Sequence, residues 1–166
     1  MGIKLDDFIH SDLIIPRLEA RDRTEAIQKL GSILYAKEYV KNSYVDAVLE
    51  REKKFPTGLA FEDGQVAIPH TDAEHCLKPG IAIGILNHPV EFFEMATLDK
   101  IVNTDLIFLL SIKVPDDQVE WLARLVNLFQ HPGFIQHFKE LSDAQACYEL
   151  LYGELRKEEE LENKSD

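Results

Sequence analysis

The period of the apolar positions changes several times along the chain, and each change marks an element. Residues 12–16 form a short apolar run ending at Pro16, which predicts a first strand. Ala26, Ile27, Leu30, Ile33 and Leu34 then recur at helical spacing, with Asp22 or Thr24 placed to cap the helix. A second helix is predicted through Val45, Val48 and Leu49, capped by Asn42 or Ser43 and stopped by Pro56 and Gly58. Three short strands follow over 58–61, 65–69 and 80–86, the last entered through the turn pair Pro79-Gly80. Residues 104–112 form a β-branched and aromatic run that reads as a central strand covered on both faces. Beyond Pro115-Asp116-Asp117 the period becomes helical, through Val119, Leu122, Ala123, Leu125, Val126 and Phe129. His131-Pro132-Gly133 breaks that helix, a short one follows, and Ser142-Asp143 caps a last one bearing Cys147, Leu150, Leu151 and Leu155. The order predicts an α/β (α+β) single domain: a mixed β-sheet of about five strands flanked by helices.

Composition narrows the class. The chain has 166 residues, 45% of them hydrophobic, which suffices for one core. Its longest apolar stretch, residues 106–110, is far short of the ~18 needed to span a bilayer, so no direct membrane insertion is expected. The N-terminal residues are mixed and acidic, unlike a signal peptide. The two cysteines, Cys76 and Cys147, lie far apart and form no disulfide framework, which suits a cytoplasmic location. A formal net charge of −12 argues against nucleic acid as a partner, because phosphate contacts need a basic face. It suits solubility or a basic protein partner. Residues 154–166 carry six acids and three bases and read as a solvated or frayed end.

The candidate chemistry centres on Val66-Ala67-Ile68-Pro69-His70-Thr71-Asp72. Proline cannot donate to a sheet ladder, so Pro69 should sit where the strand leaves the sheet. That places His70 on a stiff mount at a loop mouth, as a general base, a metal ligand or a nucleophile. A metal set of His70, His75, Cys76 and His88 lacks the paired spacing of a zinc site, so no metal is expected. His75 reads as part of the loop, and His88 as an ordinary strand-end histidine. No Gly-x-Ser-x-Gly elbow, P-loop or Gly-x-Gly-x-x-Gly motif occurs, which leaves hydrolase and nucleotide chemistry without support. Glu62 and Asp63 read as a polar turn. The nucleophile remains. It requires one free ring nitrogen, a partner on the other, and donors for phosphoryl oxygens. Arg51 is the candidate donor, since a guanidinium grips phosphate in a fork; the plain alternative is a solvated helix-end charge. Thr57 and Thr71 are hydroxyl candidates, and Phe55, Leu59 and Phe61 are candidates for an apolar docking rim.

Arg51-Glu52-x-x-Phe55-Pro56-Thr57-Gly58 followed by Val66-Ala67-Ile68-Pro69-His70-Thr71-Asp72-Ala73-x-His75 resembles an active-site signature. It is that of the enzyme IIA domains of the phosphoenolpyruvate-dependent sugar phosphotransferase system, fructose/mannitol class, most similar to the galactitol type. The resemblance implies a IIA type-2 domain over residues 1–155, with an acidic tail over 156–166. It implies that His70 accepts a phosphoryl group from phospho-HPr and donates it to a cysteine of enzyme IIB, serving sugar or polyol uptake. The membrane component IIC then takes part only indirectly, IIB and IIC are separate chains, and no cofactor is needed. Arg51 falls on the family's arginine beside the phosphorylation site.

One position departs from the mannitol pattern. Where mannitol-type members carry a second histidine, near the start of the helix after the central strand, this chain has Gln118. An amide can donate to a phosphoryl oxygen but cannot carry a proton away. Gln118, Thr57 and His75 are therefore the further site candidates. The alternative reading is a regulatory binding module, in which the phosphorylation state of His70 controls a partner protein.

Overall fold

The computed structural model describes residues 3–165. A one-turn helix, α1 (Leu5–Phe8), leads through a 3-10 turn into β1 (Ile14–Leu18), then α2 (Arg23–Ala36) and α3 (Tyr44–Lys54). Next come β2 (Gly58–Ala60), β3 (Gln65–Ala67), a 3-10 turn over Ala73–His75, β4 (Gly80–Phe93) and β5 (Ile101–Ser111). Three helices close the chain: α4 (Pro115–Phe129), α5 (Phe134–Lys139) and α6 (Ala144–Ser165).

The five strands form one mixed sheet in the order β1-β4-β5-β3-β2. β4 and β5 make a long antiparallel hairpin at its centre. β1 runs parallel to β4, β3 runs parallel to β5, and β2 returns antiparallel on β3. Strand side chains alternate between faces, and here both faces are buried. Ile81, Ile83, Ile85, Leu106, Phe108 and Leu110 join a core with Trp121, Leu125, Phe129, Phe138 and Leu151 of the last three helices. Ala82, Ile107 and Leu109 join the opposite core with Ile27, Leu30, Leu34, Tyr44 and Val48 of α2 and α3. This is why residues 104–112 read as an unbroken apolar run.

The expected fold class holds, and the departures from the sequence reading have local causes. β1 begins two residues later than expected and runs past Pro16, which an edge strand tolerates. β4 does not end near residue 86. It continues through an irregularity between Ile85 and Val90, so Asn87, His88 and Pro89 are exposed residues within a strand, and His88 does not end one. β3 stops at Ala67, leaving Ile68 and Pro69 already outside the sheet. α1 has no period to betray it. Asp63, in the loop between β2 and β3, accepts from the Gly133 N–H.

Residues 154–166, read as a solvated or frayed end, are helical as far as Ser165. Leu155 is fully buried and Glu158 nearly so. Asn127 of α4 donates to Glu158 at 2.9 Å, and Arg124 donates to Glu159 at 3.1 Å. These contacts hold α6 on α4. The last residue of that stretch, Asp166, lies outside the described residues, as do Met1 and Gly2. Among the described residues no helix is long and apolar enough to cross a membrane.

Candidate active site

The site forms where three segments meet: the end of α3, the β2 entry and the loop after β3. β2 opens at Gly58, whose missing side chain matters, because a Cβ there would lie 2.6 Å from the Phe93 carbonyl oxygen. After β3, the Leu110 N–H donates to the Pro69 carbonyl at 3.1 Å and pins the exit loop to the central strand. His70 follows at once and is buried, 6% exposed.

The imidazole of His70 is fixed by its own backbone. Nδ1 lies 2.8 Å from the Ile68 carbonyl oxygen. A carbonyl can only accept, so Nδ1 carries the proton and Nε2 presents a lone pair. Burial first, and then the Arg51 charge, lower the basicity of the ring below the usual histidine value, against the opposing effects of the Ile68 bond and Asp72. A neutral ring is therefore favoured at pH 7.

Arg51 stands in the last turn of α3. Its guanidinium packs over the Phe55 ring at 5.4 Å and lies 3.7 Å from the Asp72 carboxylate. Its Nε is buried and has no hydrogen-bond partner among the described residues, an unspent donor within a charge that already acts on His70. Phe55 itself is 60% exposed, as a rim residue should be, whereas Leu59 and Phe61 pack against the core.

Gln118, on the first turns of α4, reaches across to the same loop. Its Nε2 donates to the Thr71 carbonyl at 3.0 Å, one residue beyond His70. The structure thus brings His70, Arg51, Asp72 and Gln118 together.

It assigns Thr57 and His75 differently. The Thr57 hydroxyl is not free to hold an incoming group: it donates to Glu52 Oε1 at 2.9 Å and accepts from the Ile68 N–H at 3.2 Å. His75 is turned away into a structural tie. Its Nδ1 lies 2.9 Å from the Ser43 hydroxyl and its carbonyl accepts from the Lys41 N–H, fastening the 3-10 turn to the start of α3. Cys76 beside it is buried, and burial pushes its thiol up. With His88 on the exposed β4 irregularity, the four residues considered for a metal are dispersed among separate tasks.

Glu52 is the residue that the sequence hides. It sits in a run of charges, Arg51-Glu52-Lys53-Lys54, yet it is only 6% exposed. Its carboxylate accepts both the backbone N–H and the hydroxyl of Thr57, and burial raises its pKa to about 7. The signal available was its five-residue distance from a Thr-Gly pair at a helix end.

Beside Ile68 an apolar groove of about 400 Å³ opens, lined chiefly by Met95, Leu122, Ala123 and Val126. Val119, next to Gln118, is 70% exposed.

Fold and site define an α/β domain organised around one neutral, backbone-anchored histidine with an arginine at hand. The chain belongs to the family described as "Phosphoenolpyruvate-dependent sugar phosphotransferase system, EIIA 2", whose model matches residues 7–153. It is a phosphotransferase component of that system. It is 30% identical to the galactitol-specific EIIA component of Escherichia coli K12 over 75% of this chain and 82% of that one. It is 29% identical to the transcriptional regulator ManR of Bacillus subtilis, over 75% of this chain and 18% of that protein. Among solved structures, the mannitol enzyme IIA in complex with phosphorylated enzyme IIB from Escherichia coli superposes with a TM-score of 0.72. That pair shares 26% identity, over 87% of this chain and 97% of that one.

Proposed function

We propose that His70 is the residue that carries the phosphoryl group, on Nε2, between HPr and a cysteine of enzyme IIB. The observation that carries this reading is the hydrogen bond from His70 Nδ1 to the Ile68 carbonyl, which leaves Nε2 as the nucleophile. In the first step the Nε2 lone pair forms a bond to phosphorus as the nitrogen–phosphorus bond of phospho-HPr breaks. The ring then holds a phosphoryl group on Nε2 and a proton on Nδ1. The Ile68 carbonyl stabilises that proton, and a protonated ring is a good leaving group for the second step. In that step a cysteine thiolate of IIB takes the phosphoryl group and the electron pair returns to Nε2. Such transfer needs positioning and charge neutralisation more than covalent help. Arg51 supplies the charge and a partnerless donor. Gln118 steadies the loop through Thr71 and retains a second amide hydrogen for a phosphoryl oxygen.

The groove beside Ile68, together with the exposed Phe55 beside Arg51 and the exposed Val119 beside Gln118, would offer apolar surface on which both partners dock in turn. The similarity to a galactitol-specific EIIA component supports a galactitol-type polyol system in the cytoplasm, with IIC served through IIB.

Incubation with phosphoenolpyruvate, enzyme I and HPr should give an acid-labile phosphate that is lost in His70→Ala and passes on to IIB. Absence of label on the unmodified protein would sink the reading. The likeness to ManR favours a second one, a regulatory module read through the state of His70. Label that forms but never reaches IIB would support that alternative.

A further inference from the structure

The buried carboxylate of Glu52 has no part in the chemistry just described. It lies in the last turn of α3, where the helix dipole disfavours a negative charge, and it is almost fully desolvated. A carboxylate in such a place is costly unless its hydrogen bonds are specific.

They are specific, and they lead to one place. Glu52 Oε2 accepts the Thr57 N–H at 2.8 Å and Oε1 accepts the Thr57 hydroxyl at 2.9 Å. The hydroxyl proton is thereby aimed at Glu52, so the oxygen's lone pairs face Ile68. The Ile68 N–H donates to that oxygen at 3.2 Å. On the other side of the same residue, the Ile68 carbonyl accepts from His70 Nδ1 at 2.8 Å. Ile68 and Pro69 lie beyond β3; Leu110 holds the Pro69 carbonyl, and Thr57 holds the Ile68 N–H through its hydroxyl at 3.2 Å and its own carbonyl at 3.4 Å.

We propose that Glu52 is the positioning residue of the site: through Thr57 and Ile68 its ionised carboxylate holds His70 with Nδ1 protonated and Nε2 free. This rests on the reading of His70 as the phosphoryl carrier and deepens it. The relay needs a carboxylate that accepts twice. Protonated, Glu52 turns one acceptor oxygen into a donor and meets the Thr57 hydroxyl donor to donor. The charges facing Glu52 are Arg23 from α2 and Arg51 and Lys53 from α3, and Thr57 is its neutral partner. A small cavity of about 160 Å³, lined by Arg23, Thr24 and Lys53 among others, borders Glu52.

The test compares Glu52→Gln, Thr57→Val and Thr57→Ser in the full chain, by rate of label from phospho-HPr and by the ¹⁵N spectrum of the His70 ring. Misplacement of a reacting group costs on the order of tenfold or more in rate, and that loss is expected in Glu52→Gln and Thr57→Val. Both should also lose the Nδ1–H tautomer signature, and Thr57→Ser should restore much of rate and signature relative to Thr57→Val. The unmodified protein should lose label rate as pH falls through about 7, a step absent in Glu52→Gln. A Glu52→Gln protein with the Nδ1–H signature and the full rate at every pH overturns the proposal. Failure of the unmodified protein to take label counts against His70 as carrier; the ring spectrum, which needs no phosphate, still decides the part of Glu52.

Discussion

Glu52 takes two hydrogen bonds from a single residue, Thr57, one from its backbone N–H at 2.8 Å and one from its hydroxyl at 2.9 Å. Each end of this pair is expensive. Free glutamate titrates near 4.5, and burial raises Glu52 to about 7. Between those values the folded chain holds more protons than the unfolded one, so this group's contribution is full below 4.5 and is lost as pH rises through 7. At about 1.4 kcal/mol per pKa unit the loss is on the order of 3 kcal/mol. Urea unfolding from pH 4.5 to 8 should show that slope, and Glu52→Gln should flatten it. An identical slope in the variant would assign the titration to another group. The residue that supports the site thus lowers the stability of the fold at neutral pH, a trade common at functional positions.

Arg51→Lys should keep the fold and slow labelling of His70 by roughly tenfold, because a point charge replaces a forked donor. The Phe55 stacking and the buried Nε, both specific to arginine, are lost with it. Quench-flow labelling measures the effect, and an unchanged rate would return Arg51 to an ordinary helix-end charge.

Gln118→Ala removes the donor to the Thr71 carbonyl and frees the loop after His70. Labelling should fall several-fold, while stability changes by less than about 1 kcal/mol, since the lost bond lies at a partly exposed position. The Nδ1–H signature of His70 should persist, which separates this effect from that of Glu52→Gln.

Tyr44 ties helix to sheet by donating from its buried hydroxyl to the Leu110 carbonyl at 2.6 Å. Leu110 is also the residue whose N–H holds Pro69. Tyr44→Phe should lower stability by about 1–2 kcal/mol, read from the shift in a urea midpoint at constant m-value.

Leu155→Ala tests the end of the chain. Leu155 is fully buried in the core that α4, α5 and α6 share, beyond the residues that the family model matches. Deleting a buried leucine costs about 2–5 kcal/mol. A loss of that size, with labelling unaffected, would show that the last helix belongs to the fold and stands apart from the chemistry.

The fold was legible wherever one segment carried its own reason. The apolar run at 104–112, the Pro115 helix start and the His131-Pro132-Gly133 break each encode local structure, and the structure places elements there. The strand over 80–86 was read too short because the apolar pattern lapses at Asn87-His88; an exposed irregularity carries β4 through Pro89 to Phe93. The acidic end misled because composition resembles solvation, while the folded chain buries Leu155 in the core and ties Glu158 to Asn127 of α4. The place of His70, just beyond the strand, was legible from Pro69. Glu52 was not, since a run of charges hides which one the fold buries, and the only pointer was its distance from Thr57-Gly58. Thr57 was recognised by type and given the wrong task, because its hydroxyl's partners come from elements distant in sequence.

The pairing of Arg51 with Asp72 bears on energy as well as geometry. At 3.7 Å the carboxylate is a loose companion, and 72% of its side chain is open to water. On the proposed reading, an arriving phosphoryl dianion takes over a guanidinium that was already partly neutralised. The gain on phosphorylation is then a difference between two attractions, smaller than either. A relay requires that difference: a group bound too well by its carrier goes no further. Asp72 acts as a counterweight, keeping the phosphorylated state of His70 close enough in free energy to those of its donor and acceptor for transfer to run onward.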